Sequence, residues 1–206
     1  MTNPRSCRAL LLLLAFAAVT TQAQDAELAR GAELLAPFKQ DLQMALKSGL
    51  AEGPATAIEV CRVKAPGIAD ALSVDGVKMG RSSHKLRNPD NAAPDWASPI
   101  MQAYLDKASS REPRIVELAG DRWGYVEPIM VQPLCLTCHG SQLAPDVAER
   151  IAELYPDDKA TGFQTGDLRG VFWLEFPADT PYSGPPRAGN RNLMTRKKPL
   201  VGIYQL

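Results

Sequence analysis

The stretch "PLCLTCHGSQ", residues 133–142, constrains this chain more than any other: Cys135 and Cys138 are separated by two residues and His139 follows at once. With four cysteines and two histidines in 206 residues, chance places such a string in roughly one chain in a thousand, so the spacing carries information. Two thiols at this separation add across the two vinyl groups of one porphyrin. The next residue then falls beneath the iron as the proximal imidazole. A fold built around these residues must make room for a large flat group, one covalently attached haem c held by Cys135 and Cys138 with His139 on the metal. Three other chemistries use the same residue types. A redox dithiol belongs in a thioredoxin-like βαβ context, which the chain lacks. Structural zinc needs four Cys or His ligands, and adjacent Cys138 and His139 point in different directions, so both rarely serve one ion. A purely structural disulfide ranks with zinc.

The compartment agrees with haem attachment after export. The start, "MTNPRSCRALLLLLAFAAVTTQAQDAE", has Arg5 and Arg8 as a basic region, Ala9 to Val19 as an apolar run, and small residues at Thr21 and Ala23. That is the pattern of a secretory leader over residues 1–23. The apolar run is shorter than the roughly 20 residues of a spanning helix. No second run of spanning length follows, so no integral membrane segment is expected after cleavage and the mature chain is expected in the periplasm. The 23 basic and 23 acidic residues cancel, which argues against nucleic acid as a partner. Cys7 belongs to the leader, leaving Cys61, Cys135 and Cys138 with His84 and His139 as the mature Cys/His inventory.

Residues 25–50 carry Leu28, Leu34, Leu35, Phe38, Leu42 and Leu46 at three- and four-residue steps, the spacing of an amphipathic helix. Pro54 opens a second helix with Ile58, Cys61 and Ala65 on one stripe and Ala57 beside it. Pro66 and Gly67 are expected to interrupt that helix or begin a new turn. "VKMGRSS" alternates as a strand, and "LRNPDNAAPDW" is a loop. Residues 98–109 form a helix capped by Ser98. "RIVELAGDRWGYVEPIMV" is a hairpin around an "AGD" turn. After the Cys-x-x-Cys-His string come a short helix "APDVAERIAELYP", a polar loop, and the strand "LRGVFWLEF". Asp157, Asp158 and Asp167 lack EF-hand spacing and are expected as turn formers. Trp123 and Tyr125 are expected to wall the haem pocket. Helices followed by strands without βαβ alternation predict an α+β fold with an antiparallel sheet.

On the far side of the iron several residues compete. Cys61 is a buried apolar thiol or the distal ligand, and its helix stripe faces the core. His84 lies in the polar "RSSHKLRNPDN" and is expected at the surface; Met79, Met101 and Met130 are weaker candidates, and an open position is the last option. Arg81 and Arg87 are suited to pair with the haem propionates through bidentate carboxylate contacts.

The stretches "AIEVCRVKAPGIA", "GRSSHKLRNPDNAAPDW", "CLTCHG" and "ELYPDDKATGFQTGDLRG", with the strand after the last, resemble a bacterial family of exported haem c proteins with a PAS-like fold, formerly classed as a domain of unknown function. The resemblance runs from about Ala55 to Phe176. It implies haem c on Cys135 and Cys138, His139 proximal, and Cys61 as distal ligand. The fold it implies is a PAS-like antiparallel sheet with N-terminal helices and further helices flanking a haem pocket, over residues 24–177. The Pro-rich tail at 178–206 is left over, with "LVGIY" as an edge-strand candidate. It further implies redox or ligand sensing, because relatives are often fused to membrane-bound signalling modules. This chain carries no kinase, cyclase or membrane segment, so the expected partner is a separate signalling protein or a redox partner protein.

A thiolate on iron favours the ferric state, whereas axial methionine raises the potential. The expectation is therefore a low-potential haem whose Cys61 bond weakens on reduction and opens a site for CO or NO. Such a ligand change suits a sensor with two states. A plain low-potential electron-transfer protein is the alternative, and it needs no ligand change. A peroxidase-type enzyme needs an open iron and distal acid–base groups, and only His84 is spare.

Overall fold

Leu34, Leu35 and Phe38 are spaced for one face of a helix, and all three are buried against a sheet. They sit on α1 (Pro4–Ala51) in a computed structural model that describes residues 4–106 and 111–178, with side chains from residue 22 onward. The helix expected over residues 25–50 is the later part of α1. Residues 1–3 and the side chains of residues 4–21, where a leader is expected, lie outside the described set, as does the tail beyond Ala178 with its edge-strand candidate. No helix among the described residues is long and apolar enough to cross a membrane.

The break expected at Pro66 and Gly67 does not occur: α2 (Pro54–Leu72) runs through both. Pro66 forfeits a backbone hydrogen bond, but Ile68, Ala69 and Leu72 beyond it pack into the core beneath α1, and their burial keeps the helix going. A Cβ at Gly49 would lie 2.7 Å from the Ala57 backbone, so the two helices cross closely there.

Among the described residues four strands follow: β1 (Lys78–Ser82), β2 (Arg114–Leu118), β3 (Arg122–Met130) and β4 (Leu168–Pro177). Every pair is antiparallel, in the order β1-β4-β3-β2, so β4 fits between β1 and β3. The expected α+β class holds, with N-terminal helices on an antiparallel sheet. The β2–β3 turn places Gly120 and Asp121 at φ 74 and 53, a conformation glycine and aspartate tolerate.

Alternation along the strands divides the sheet into two faces. Met79, Tyr125, Leu174 and Phe176 face α1 and α2. Val126, Val171 and Leu168 face α3 (Ser98–Asp106) with its Ile100 and Tyr104. Ser98 does not cap α3 through its side chain; its hydroxyl donates back to the Pro94 carbonyl at 3.4 Å. Trp123 and Tyr125 alternate as expected, but they pack in the core beneath α1 instead of walling the Cys-x-x-Cys-His segment. A Cβ at Gly31 of α1 would sit 2.5 Å from the Tyr125 ring.

Between β3 and β4, which are hydrogen-bonded neighbours, the chain leaves the sheet and returns. This excursion holds the motif, α4 (Leu136–His139) and α5 (Pro145–Leu154). Its two ends are tied where Val131 N–H donates to Asp167 and Gly166 N–H donates back to Val131, both at 2.9 Å. The motif is thus carried on a long β3–β4 connection clamped to the centre of the sheet.

Candidate functional site

Pro133 starts a single tight turn that ends at Cys135, and α4 continues from it to His139. The motif is therefore almost one continuous helical segment. Its two cysteines enter different surroundings. Cys135 packs with Leu136 against Val131, Ala160 and Phe163, and its sulfur accepts from the Gln132 N–H at 3.3 Å. Cys138 packs against Ile58 of α2 and Val147 and Ile151 of α5. Burial pushes the Cys138 thiol up, with Arg87 opposing. All three described cysteines are free thiols.

His139 is held on several sides by the loop after α5. Its Nδ1 lies 2.7 Å from the Ala160 carbonyl. A carbonyl only accepts, so Nδ1 carries the proton and Nε2 keeps its lone pair. The Phe163 N–H donates to the His139 carbonyl at 3.0 Å, and Gly162 N–H donates to Gly140 at 3.1 Å. Burial, then the Arg169 and Arg87 cations, push the imidazole down to about 3. It is neutral at physiological pH and suited to bind a metal through Nε2.

Across from the motif, α2 packs on α4 and α5. Cys61 lies on that helix, half-buried, between Ile58 and Ala65 on the expected stripe. Burial raises its thiol, while Arg81 and then Arg87 pull it down. Cys61 in turn raises Cys138, so the two thiols lie within electrostatic reach of each other. A small cleft of about 50 Å³ is lined by Cys61, Arg81, Asn88 and Tyr155, among others. A neighbouring cleft of about 170 Å³ shares Tyr155 and Asn88 and adds Arg87 and Asp157.

The arginines fall into distinct settings. Arg81 projects from β1 into the Cys61 cleft, and its guanidinium makes no hydrogen bond or ion pair among the described residues. Arg87 pairs with Asp158 at 3.1 Å and donates to the Cys138 carbonyl at 2.6 Å, so its guanidinium is engaged with the motif itself. Asp158 also accepts from Ala160 N–H, and Asp167 accepts from Gln164 N–H, so both form turns as expected. Arg169 had no place in the sequence reading. It extends from β4, bonds Ser83 at 2.8 Å and covers the Phe163 ring at 5.2 Å. Burial, and the nearness of Arg81 and Arg87, push Arg169 down to about 10. The signal was in "TGDLRG", but nothing in the alternation of a strand distinguishes an arginine turned toward a site.

The rival distal residues lie elsewhere. Met79 is in the core beneath α1, while Met101 and Met130 pack on the α3 face. His84 is exposed and rests edge-on against Phe163, 5.7 Å between centroids. Among the described residues no three His, Cys, Asp or Glu side chains come together as a metal-holding group.

Fold and site together define the class: an α+β domain that carries a Cys-x-x-Cys-His turn on the connection between two adjacent antiparallel strands, faced by a third cysteine on the packed helix. The chain belongs to the Tll0287-like family, whose family model matches residues 12–177. Among solved structures, the cyanobacterial heme-protein Tll0287 shares the fold with a TM-score of 0.56. It is 23% identical, and the match covers 74% of this chain and 95% of that one. No curated protein matches the sequence.

Proposed function

We propose that this chain is a periplasmic monohaem c protein that senses redox state or a small ligand. One observation carries the reading: His139, the last residue of the Cys-x-x-Cys-His turn, is neutral, with Nδ1 donating to Ala160 and Nε2 left unprotonated. Cys135 and Cys138 would hold the tetrapyrrole by thioether bonds, and His139 and Cys61 would bind the iron. Charge supports the fit. Arg81, Arg87 and Arg169 converge on the motif, and Asp158 pairs with Arg87 alone of the three. That excess of positive charge suits a group bearing two propionates. The Tll0287 structure is that of a heme protein, which supports the same cofactor here.

When bound, the haem would supply a one-electron couple and a site for a diatomic ligand such as CO or NO. The residues divide the remaining work. His139 stays fixed by the Ala160 carbonyl. Cys61 stands on α2, the helix that touches α1, α4 and α5, so its release reaches the elements most able to pass a change to a separate signalling protein.

A second reading, a low-potential electron carrier, is favoured by Leu134, which is 58% exposed beside Cys135 and offers an apolar contact for a redox partner. Protein matured in a host equipped for cytochrome c assembly tests both. The haem c reading expects a red protein with the mass of the chain plus one haem; a colourless product of bare polypeptide mass overturns it. Spectra of oxidised, reduced and CO-treated protein then separate the roles. Loss of the Cys61 ligand on reduction marks the sensor, and unchanged six-coordination marks the carrier.

A further inference from the structure

Arg87 and Asp158 form a nearly buried ion pair, 13% and 8% exposed. Arg87 Nε lies 3.1 Å from one carboxylate oxygen and Nη2 lies 3.2 Å from the other. Neither residue lies in a helix or strand. A buried pair of this kind gains little stability, because desolvation offsets the attraction. Its other bonds give it a purpose. The same Nη2 donates to the Cys138 carbonyl at 2.6 Å and reaches the Ala160 carbonyl at 3.4 Å. Asp158 accepts from the Ala160 N–H at 2.9 Å. Ala160 is the residue whose carbonyl takes the His139 Nδ1 proton at 2.7 Å. The pair therefore grips the peptide units on both sides of the imidazole's hydrogen bond: the one that precedes His139 and the residue that accepts from it.

We infer that Arg87 and Asp158 are positioning residues for His139, which set how strongly Ala160 draws on the imidazole and so how strongly Nε2 donates. The inference rests on the haem c reading above. An imidazole whose Nδ1–H is tightly held is a stronger donor, and partners of this outer kind tune a metal nearly as much as its ligands do. Arg87 shares the Ala160 carbonyl with His139 and places a cation beside the ring, and both effects withdraw electron density from Nε2. Its loss strengthens the imidazole and favours ferric iron. Loss of the Asp158 charge leaves the Arg87 cation uncompensated and favours ferrous iron. Opposite signs are the mark of a tuning pair, because simple loosening of the loop moves both variants the same way.

The test compares wild type with Arg87→Gln, Arg87→Lys and Asp158→Asn, each matured with haem. The readouts are the midpoint potential and the iron–histidine stretch of the ferrous protein by resonance Raman. Arg87→Gln is expected to shift the ferric:ferrous ratio at fixed potential about tenfold toward ferric, about 59 mV for one electron, with a higher stretching frequency. Asp158→Asn shifts both readouts the other way. Arg87→Lys keeps the charge without the fork and recovers part of the shift, which preserves the comparison if Arg87→Gln does not accumulate. Shifts of one sign in Arg87→Gln and Asp158→Asn, or potentials and frequencies equal to wild type, overturn the inference and leave the haem c reading standing. A wild-type protein without haem overturns the reading itself.

Discussion

Phe163 meets His139 twice: its N–H donates to the His139 carbonyl at 3.0 Å, and its ring stands edge-on to the imidazole, 6.3 Å between centroids at 88°. Together with Ala160 this encloses a ring that folds neutral, pushed to about 3 by burial and then by Arg169 and Arg87. An unfolded chain protonates histidine near its ordinary value of about 6.5. Between those values the unfolded state holds more protons, so stability rises with pH through the window and is lost as pH falls toward 3. Denaturant midpoints at pH 7 and pH 4 are expected to differ more for the haem-free Cys135→Ser, Cys138→Ser protein than for the same protein with His139→Gln. Equal differences contradict the assignment of a buried neutral ring.

The join between β1 and β4 leaves no room at Gly170. A Cβ there would lie 2.0 Å from the Ser82 carbonyl oxygen and 3.1 Å from the Ser83 Cα. Backbone cannot swing aside as a side chain does, so Gly170→Ala is expected to cost at least the upper part of the usual overpacking range of about 1–3 kcal/mol. It also displaces Ser83, which donates to the Arg169 carbonyl at 2.6 Å and accepts from its guanidinium at 2.8 Å. A melting temperature equal to wild type rules out the tight join.

Much of this was legible in the chain, and the rest for definite reasons was not. The stripe of Leu34, Leu35 and Phe38 marked α1 because helical periodicity is local, and the same holds for the alternation of β1 and β3. The motif stood out because its Cys-x-x-Cys-His spacing is local in the sequence. Pro66 misled because the packing of Leu72 beneath α1 is tertiary and invisible in a local window. Trp123 and Tyr125 misled in the same way: nearness in sequence to Cys135 says nothing about which face of the sheet they take. Arg169 and Ala160 escaped notice because their roles depend on a loop folding back from α5, and Asp158 looked like a turn former, which it is, with Arg87 as an added partner.

Ile58 joins α2 to the motif, 4% exposed in a cluster with Val147 and Ile151 that Cys138 packs against. Ile58→Ala removes that bridge and is expected to cost about 2–5 kcal/mol. Val63, on the same helix but 66% exposed, serves as the control; Val63→Ala is expected to stay within about 0.5 kcal/mol of wild type. Similar losses from the two substitutions in urea titrations tell against the packing of α2 on the motif.

Cys61 sits in a balance between burial, which raises its thiol, and the Arg81 and Arg87 cations, which lower it. The reactive form of a cysteine is the thiolate, so its alkylation rate reports that balance directly. Arg81 suits the experiment better than Arg87, because its guanidinium holds no hydrogen bond or ion pair among the described residues, whereas Arg87 carries the Asp158 pair. In a protein with Cys7→Ser, Cys135→Ser and Cys138→Ser, Cys61 is the one cysteine left. Arg81→Gln removes an opposing cation, moves the thiol further up and lowers the thiolate fraction. Iodoacetamide at pH 8 is expected to label Cys61 several-fold more slowly in the Arg81→Gln protein, with the difference shrinking as pH approaches the thiol's own range. Faster labelling, or a rate insensitive to Arg81, means that the guanidinium does not face the sulfur, and the site then loses the cation that acts most strongly on Cys61.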